Sequence, residues 1–163
     1  MEDLKPFEKL LTEDERWAFF MQPETVPHNS TAITLKYIYN KINSIDLLDD
    51  VPDEIKSQFN IAKMIAVYSW FYYPFHQISE LKAYSTLEFA LRHKYKDKGG
   101  NLNTLLRKAV KDKDGIVTRK DYPEILHKLR NDLAHGSTTL HPNSEITLRN
   151  CADIINALFK PKK

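Results

Sequence analysis

One cysteine, four glycines and no long apolar run are the first constraints on this chain of 163 residues. Cys151, standing alone, can form no intramolecular disulfide and excludes a metal knuckle built on two cysteines, which fits a reducing compartment. Four glycines leave little material for the many tight turns of a sandwich or barrel. The longest apolar stretch, Met64 to Phe75, is too short to cross a bilayer, and it has Lys63 just before it and Pro74 inside it. Met1-Glu2-Asp3-Leu4-Lys5 is acidic and lacks the basic start and apolar run of a signal peptide. No repeat, low-complexity tract or Pro/Gly/Ser-rich linker divides the chain. The expectation is a cytoplasmic protein with no membrane partner, folded as one domain over residues 1–163.

What is present is 42% hydrophobic and 28% charged residues, a mixture suited to long amphipathic helices around a sizeable core. The predicted class is an all-α bundle of about six to seven helices. Thr12 followed by Glu15 forms a capping-box pattern that starts a short helix through Trp17 and Phe20, ending near Pro23, and residues 22–30 read as loop. Ala32 to Leu48 has helical spacing at Ile33, Tyr37, Ile38 and Ile42, with a strand over residues 31–39 as the alternative. Pro52 opens a helix through Phe71, and a second long helix runs from about Phe75 to Tyr95 with a stripe from Ile78 to Arg92. After Gly99-Gly100, shorter helices are expected from Leu102 to Val110 and from Tyr122 to His135. The second of these buries Ile125, Leu126, Leu129 and Leu133 and is capped by Gly136. Ser144 starts the last helix, with Ile146, Cys151, Ile154, Ile155 and Leu158 facing inward.

The net charge of +2 hides an asymmetry. Residues 1–60 carry 6 Lys/Arg against 12 Asp/Glu, whereas residues 82–130 carry 13 Lys/Arg against 6 Asp/Glu. A positive field over the second segment would attract a polyanion such as RNA; taken alone, the same counts also describe the solvated faces of surface helices.

Inside the basic segment lies Arg130-Asn131-Asp132-Leu133-Ala134-His135. On a helix Asn131 and His135 are neighbours, and Arg130 stands roughly 140° from His135, so the two flank a shared edge. His135 falls in the last turn, where the helix dipole favours positive charge. Arg130 offers a fixed fork of donors suited to a phosphate, and Asn131 can orient an imidazole or bind a ribose or phosphate oxygen. Metal-free RNA cleavage needs one group to take the 2′-hydroxyl proton, one to protonate the leaving 5′-oxygen, and positive charge beside the phosphorane. The motif holds one histidine, so a two-fold dimer joining two such helix ends would supply the pair. By residue type alone, a surface arginine and a histidine on the terminal carbonyls explain the motif equally well.

The run Arg130-Asn131-Asp132-Leu133-Ala134-His135-Gly136 resembles the Arg-Asn-x-x-x-His signature of the HEPN superfamily. Leu87-Glu88-Phe89-Ala90-Leu91-Arg92 resembles the helix that packs beside the motif in such domains. The resemblance spans residues 53–160 as a helical core and leaves residues 1–50 as a helical extension of unknown role. It implies a homodimer and a metal-independent endoribonuclease leaving 2′,3′-cyclic phosphate and 5′-hydroxyl ends, in defence or toxin-type RNA restriction. In that reading Arg130 and His135 are the catalytic pair and Asn131 supports them. Glu88 orients them, Arg92 contacts phosphate, Asp132 is a further supporting residue, and neither cofactor nor metal is needed. RNA, a second copy of the chain and an antitoxin or regulatory protein are the implied partners. The alternative is a non-catalytic binding module for RNA, nucleotide or protein.

Other constellations are weaker. Asp112-Lys113-Asp114-Gly115 imitates part of a calcium loop, but the first ligand position falls on Val110, which has no side-chain oxygen. His76, His93 and His127 are scattered without metal-ligand spacing and read as surface or packed histidines. His141 reads as an exposed loop residue, and the aromatic run from Tyr68 to Phe75 reads as core packing within an apolar helix before it reads as base stacking.

Overall fold

Helix boundaries follow local punctuation in the chain. The computed structural model describes residues 4–20, 32–97, 99–112, 121–135 and 144–161, which hold six α-helices, two short 3₁₀ turns and no strand. The helices are α1 (Leu35–Asn43), α2 (Asp53–Tyr68), α3 (Phe75–Tyr95), α4 (Leu102–Lys111), α5 (Tyr122–Ala134) and α6 (Ser144–Phe159). Thr34 caps α1 by accepting from Tyr37 N at 3.2 Å, and Asn101 caps α4 by accepting from Thr104 N at 3.0 Å. Pro52 and Pro74 stand immediately before α2 and α3, where a missing N–H leaves no gap in the helical ladder.

Helix α3 is the centre of the bundle, with α2, α4, α5 and α6 all packed against it. Its buried side is broad, from His76, Ser79 and Glu80 through Ala83, Tyr84 and Leu87 to Glu88 and Leu91, so the polar groups on it are enclosed, while Phe75, Ile78, Phe89 and His93 lie on a narrower exposed side. Leu87 and Leu91 meet a core that continues through Phe59 of α2, Leu105 and Leu106 of α4, and Leu148 and Ile155 of α6. Truncating one such leucine to alanine costs about 2–5 kcal/mol. The same cluster reaches back to Trp17 and to Ile38 and Ile42 of α1, so the acidic N-terminal part shares this core. Cys151 is fully enclosed in it, and burial pushes its thiol up, away from the reactive thiolate.

Several expectations are corrected. The Thr12–Glu15 capping box does not form: Thr12 Oγ1 donates to Lys9 O at 2.8 Å. Asp14 caps the 3₁₀ turn Glu15–Phe19 instead, accepting from Arg16 N at 3.1 Å and from Tyr73 N at 2.9 Å. Its carboxylate serves the cap and a buried N–H of the α2–α3 connection at once, which Thr12 cannot do. Ile33 precedes α1 because Thr34 takes the cap, and residues 35–39 are helix, not strand. The helix expected to run through Phe71 stops at Tyr68, so most of the aromatic run forms the α2–α3 connection; Tyr73 is buried, while Tyr68 and Phe75 are exposed.

On α5 the expected inward stripe is divided. Leu126 is buried and Leu133 packs against the core, but Ile125 is 42% exposed and Leu129 37% exposed, because among the described residues α5 packs chiefly on α3 and α4. Ile78 and Ile146 likewise face outward. Residues 22–30, the turn from Lys113 to Gly115, Gly136 and His141 lie outside the described residues.

Two buried groups at the α3–α6 contact titrate in opposite senses. Burial drives the Glu80 carboxyl up to about 7 from 4.5, against a weaker lowering by its hydrogen bond with Thr147. Burial drives the His76 imidazole down to about 4 from 6.5, against a weaker raising by Asp14. Folded Glu80 holds its proton more tightly than the unfolded chain does, so its effect is to lower stability as pH rises from about 4.5 to 7. Folded His76 holds its proton less tightly, so its effect is to lower stability as pH falls from about 6.5 to 4. The two slopes oppose each other in the window they share. Glu80→Gln removes the first, and urea unfolding of that variant is expected to show stability climbing from pH 4 to 6.5 and exceeding the parent at pH 8 by roughly 2–3 kcal/mol. A variant with the parent's pH profile would refute the assignment.

Candidate functional site

The motif residues sit where α5 crosses the C-terminal half of α3. Glu88 reaches this crossing from the buried side of α3, and Arg92, one turn later, lies four residues along on the same face. Arg92 Nη2 donates to Glu88 Oε1 at 2.5 Å and to the carbonyl of Gly100 at 3.2 Å, which ties the end of α3 to the turn before α4. That turn is itself held by Asp97, whose Oδ1 accepts from Gly99 N at 2.9 Å and Gly100 N at 3.0 Å. Gly100 is needed there because a Cβ would lie 2.9 Å from the Leu105 side chain.

From α5, Arg130 Nη2 approaches the other carboxylate oxygen, Glu88 Oε2, at 3.8 Å. One acid on α3 therefore faces two arginines. Arg130 Nη1 donates to Asn131 Oδ1 at 3.2 Å, and Asn131 Nδ2 lies 3.1 Å from His127 Nε2. This row has a fixed direction. A guanidinium only donates, so the amide oxygen must face Arg130 and the amide nitrogen must face His127. An amide nitrogen only donates, so His127 Nε2 accepts and the imidazole proton sits on Nδ1. Two donors in the row, His127 Nδ1 and Arg130 Nε, are buried without a partner among the described residues.

The structure thus brings together Glu88, Arg92, Arg130 and Asn131, and adds His127, which the sequence reading left among scattered histidines. The signal was present: His127 precedes Asn131 by one helical turn, as His135 follows it by one. His135 closes α5 as its C-terminal cap, with its backbone N–H donating to Asn131 O at 2.9 Å and its side chain exposed. Asp132 is exposed, and among the described residues its side chain forms no hydrogen bond or ion pair with Glu88, Arg130 or Asn131. Lys96 after α3, Arg107, Lys108 and Lys111 on α4, and Lys128 on α5 are exposed cations. Arg107 faces Glu124 of α5 at 3.6 Å. Among the described residues no group of three or more His, Cys, Asp or Glu side chains is arranged to hold a metal ion.

Comparisons with protein-family models, with curated proteins and with solved structures find no match to this chain. The chemistry of the site is therefore argued from its own residues.

The shared carboxylate generates a stability prediction. Removing Glu88, whose side chain is 11% exposed, takes the facing carboxylate from two guanidiniums at once, whereas removing half-exposed Arg92 leaves Glu88 still facing Arg130. Glu88→Ala is expected to cost about 2–3 kcal/mol in urea unfolding, and Arg92→Ala less than about 1 kcal/mol. Equal costs would mean that Glu88 does not couple the two arginines.

Proposed function

We propose that this chain is a HEPN-like, metal-independent endoribonuclease whose active site is completed by a second copy of the chain. The observation that carries the reading is the row Glu88–Arg130–Asn131, which fixes a guanidinium on α5 five residues before the exposed His135. Arg130 supplies positive charge for the pentavalent phosphorane, and Glu88 and Asn131 hold its fork in place. One His135 accepts the proton of the ribose 2′-hydroxyl as that oxygen attacks phosphorus. The His135 of the second copy donates a proton to the departing 5′-oxygen. The products are a 2′,3′-cyclic phosphate and a 5′-hydroxyl, and no atom is needed from outside the RNA and the two imidazoles.

A second copy is also favoured by the outer face of α5, where Ile125 and Leu129 present apolar surface beside the motif. Exposed cations on α4 and α5 favour a polyanionic substrate. The setting would be a cytoplasmic defence or toxin-type module restrained by an antitoxin or regulatory protein.

One observation favours the non-catalytic alternative, a module that binds RNA without cutting it. Arg130 is only partly exposed and already engaged by Glu88 and Asn131. The two readings separate in one assay. With a chelator present, the parent chain is expected to cleave single-stranded RNA to cyclic-phosphate ends and to leave a 2′-deoxy analogue intact. Arg130→Ala and His135→Ala are each expected to lower the rate by about 10²–10⁴-fold without changing helicity. Salt-dependent binding with no cleavage would select the alternative, and cleavage that survives both substitutions would overturn the proposal. Leu129→Glu is expected to convert a dimer into a monomer in sedimentation and to abolish cleavage with it; a monomeric, fully active parent would remove the second copy from the mechanism.

A further inference from the structure

Helix α2 carries a second apolar stripe besides the one that meets the core. Phe59, Ala62 and Ala66 face inward, while Ile61, Met64 and Tyr68, spaced by three and four residues, are half-exposed. These three line an open groove of about 610 Å³ that begins at Asp53. Tyr68 also lines a second groove of about 390 Å³, so the two adjoin. One wall of the second groove is Leu4, Leu10 and Leu11 of the N-terminal segment, and the other is Phe71, Tyr72 and Phe75.

Polar contacts fix the two walls of the second groove against each other. Lys5 Nζ donates to Thr12 O at 2.7 Å in the N-terminal segment and to Phe71 O at 3.0 Å across the groove. Asp14 N donates to Trp70 O at 2.8 Å, and the Trp17 indole N–H donates to Ser69 O at 3.1 Å. The segment is tethered at three points, yet Leu4 and Leu11 remain 95% and 83% exposed. Apolar surface held in place beside a groove, and left uncovered, marks a docking site.

We propose that the two joined grooves bind an amphipathic helix of another protein, whose apolar stripe is flanked by lysine or arginine. Among the described residues this surface has no strand edge to pair the N–H and C=O groups of an extended segment, whereas a helix pairs its own. The stripe of α2 from Ser57 to Tyr68 is about 16 Å long, which matches three turns of such a helix. Charge selects among occupants. Residues 1–20 and 49–75, which supply every lining residue of both grooves, carry 5 Lys/Arg against 10 Asp/Glu. Glu8 and Glu13 on the N-terminal segment and Asp53 at the start of α2 are exposed. The lining cations Lys5 and Lys56 are half-buried and donate to carbonyls of this chain. An acidic surround repels RNA and an anionic membrane, and it opposes a second copy carrying the same excess; it attracts a helix with basic flanks. None of these residues belongs to the proposed ribonuclease site, so the groove can be tested whether or not the chain cuts RNA.

Binding of dye-labelled synthetic helices to the full chain, followed by anisotropy, tests this. The probes are a peptide of about 18 residues with leucines at helical spacing and lysines on both flanks, the same peptide with glutamates on the flanks, and a scramble of the first that breaks the stripe. The lysine-flanked helix is expected to bind, the glutamate-flanked helix at least about tenfold more weakly, and the scramble not at all. Met64→Asp and Leu11→Asp, at exposed positions on different grooves, are each expected to weaken the lysine-flanked helix at least about tenfold without loss of helicity. Glu8→Lys combined with Glu13→Lys is expected to shift preference toward the glutamate-flanked helix, and Leu129→Glu on α5 to leave binding undiminished. The proposal is overturned if neither striped peptide binds, if basic and acidic flanks or the scramble bind alike, or if Met64→Asp and Leu11→Asp bind undiminished. It is overturned as well if Met64→Asp lowers the oligomeric mass in sedimentation, which seats a second copy on this face, or if the parent but not Met64→Asp binds vesicles of anionic phospholipid.

Discussion

The burial of one broad side of α3 is the constraint on which the rest of the structure depends. Polar residues on the wet side of a helix can meet water, but the broad side of α3 is covered by four other helices, so each polar side chain on it must find a partner in the protein. Ser79 donates its hydroxyl to Ala62 O of α2 at 2.9 Å. Thr86 returns its hydroxyl to Lys82 O in its own helix at 2.8 Å. His76 turns to Ser144 of α6, and Glu88 to Arg130 of α5. These contacts are directional where apolar contacts are not, so they fix which helix lies against which length of α3. Glu80 marks the limit of the scheme. One of its oxygens is buried unpaired, and its carboxyl escapes the cost of a buried charge by keeping its proton into the neutral range.

The same logic gives the motif its rigidity. Glu88 accepts from Arg92 and pairs at 3.8 Å with Arg130, Arg130 passes one donor to Asn131, and Asn131 passes one to His127. Each member can play only one role with its neighbour, so reversing any link would set donor against donor. Asn131 is thereby committed sideways along the helix to His127, while its contact with His135 is through the backbone alone. The sequence reading had Asn131 free to orient His135. In the structure its amide is spent on holding Arg130.

Helix order and most boundaries were legible because capping residues and prolines act locally, and α3 and α6 begin at the residues that the pattern names. The errors were tertiary. Apolar spacing cannot say how many neighbours a helix has, so Ile125 and Leu129 looked like core, whereas among the described residues α5 packs chiefly on two helices. Thr12 and Glu15 satisfy a local rule that Asp14 overrides with a buried partner in the α2–α3 connection. For the site, Arg130, Asn131 and His135 were visible as a string on one helix. The pairing of Glu88 with Arg130 requires knowing that α3 and α5 cross, and periodicity carries no such information. His127 went unassigned because its importance comes from the direction of a hydrogen-bond row, which only coordinates reveal.

The two flanks of α5 point to a division of labour. Taking about 100° per residue, Arg130, His127 and Asn131 follow one another around one side of the helix, and Leu129, Ile125 and Asp132 around the other, with His135 at the boundary between them. The first flank is polar and held by α3. The second is largely apolar and uncovered. A second copy seated there through a two-fold axis would bring His135, the boundary residue, nearer to its counterpart than Arg130 is to its own. On the proposed reading, the imidazoles then meet at the centre of the composite site and the arginines stand outside them. That order is what in-line cleavage asks for, with the proton carriers beside the entering and leaving oxygens and the cations around the equatorial charge.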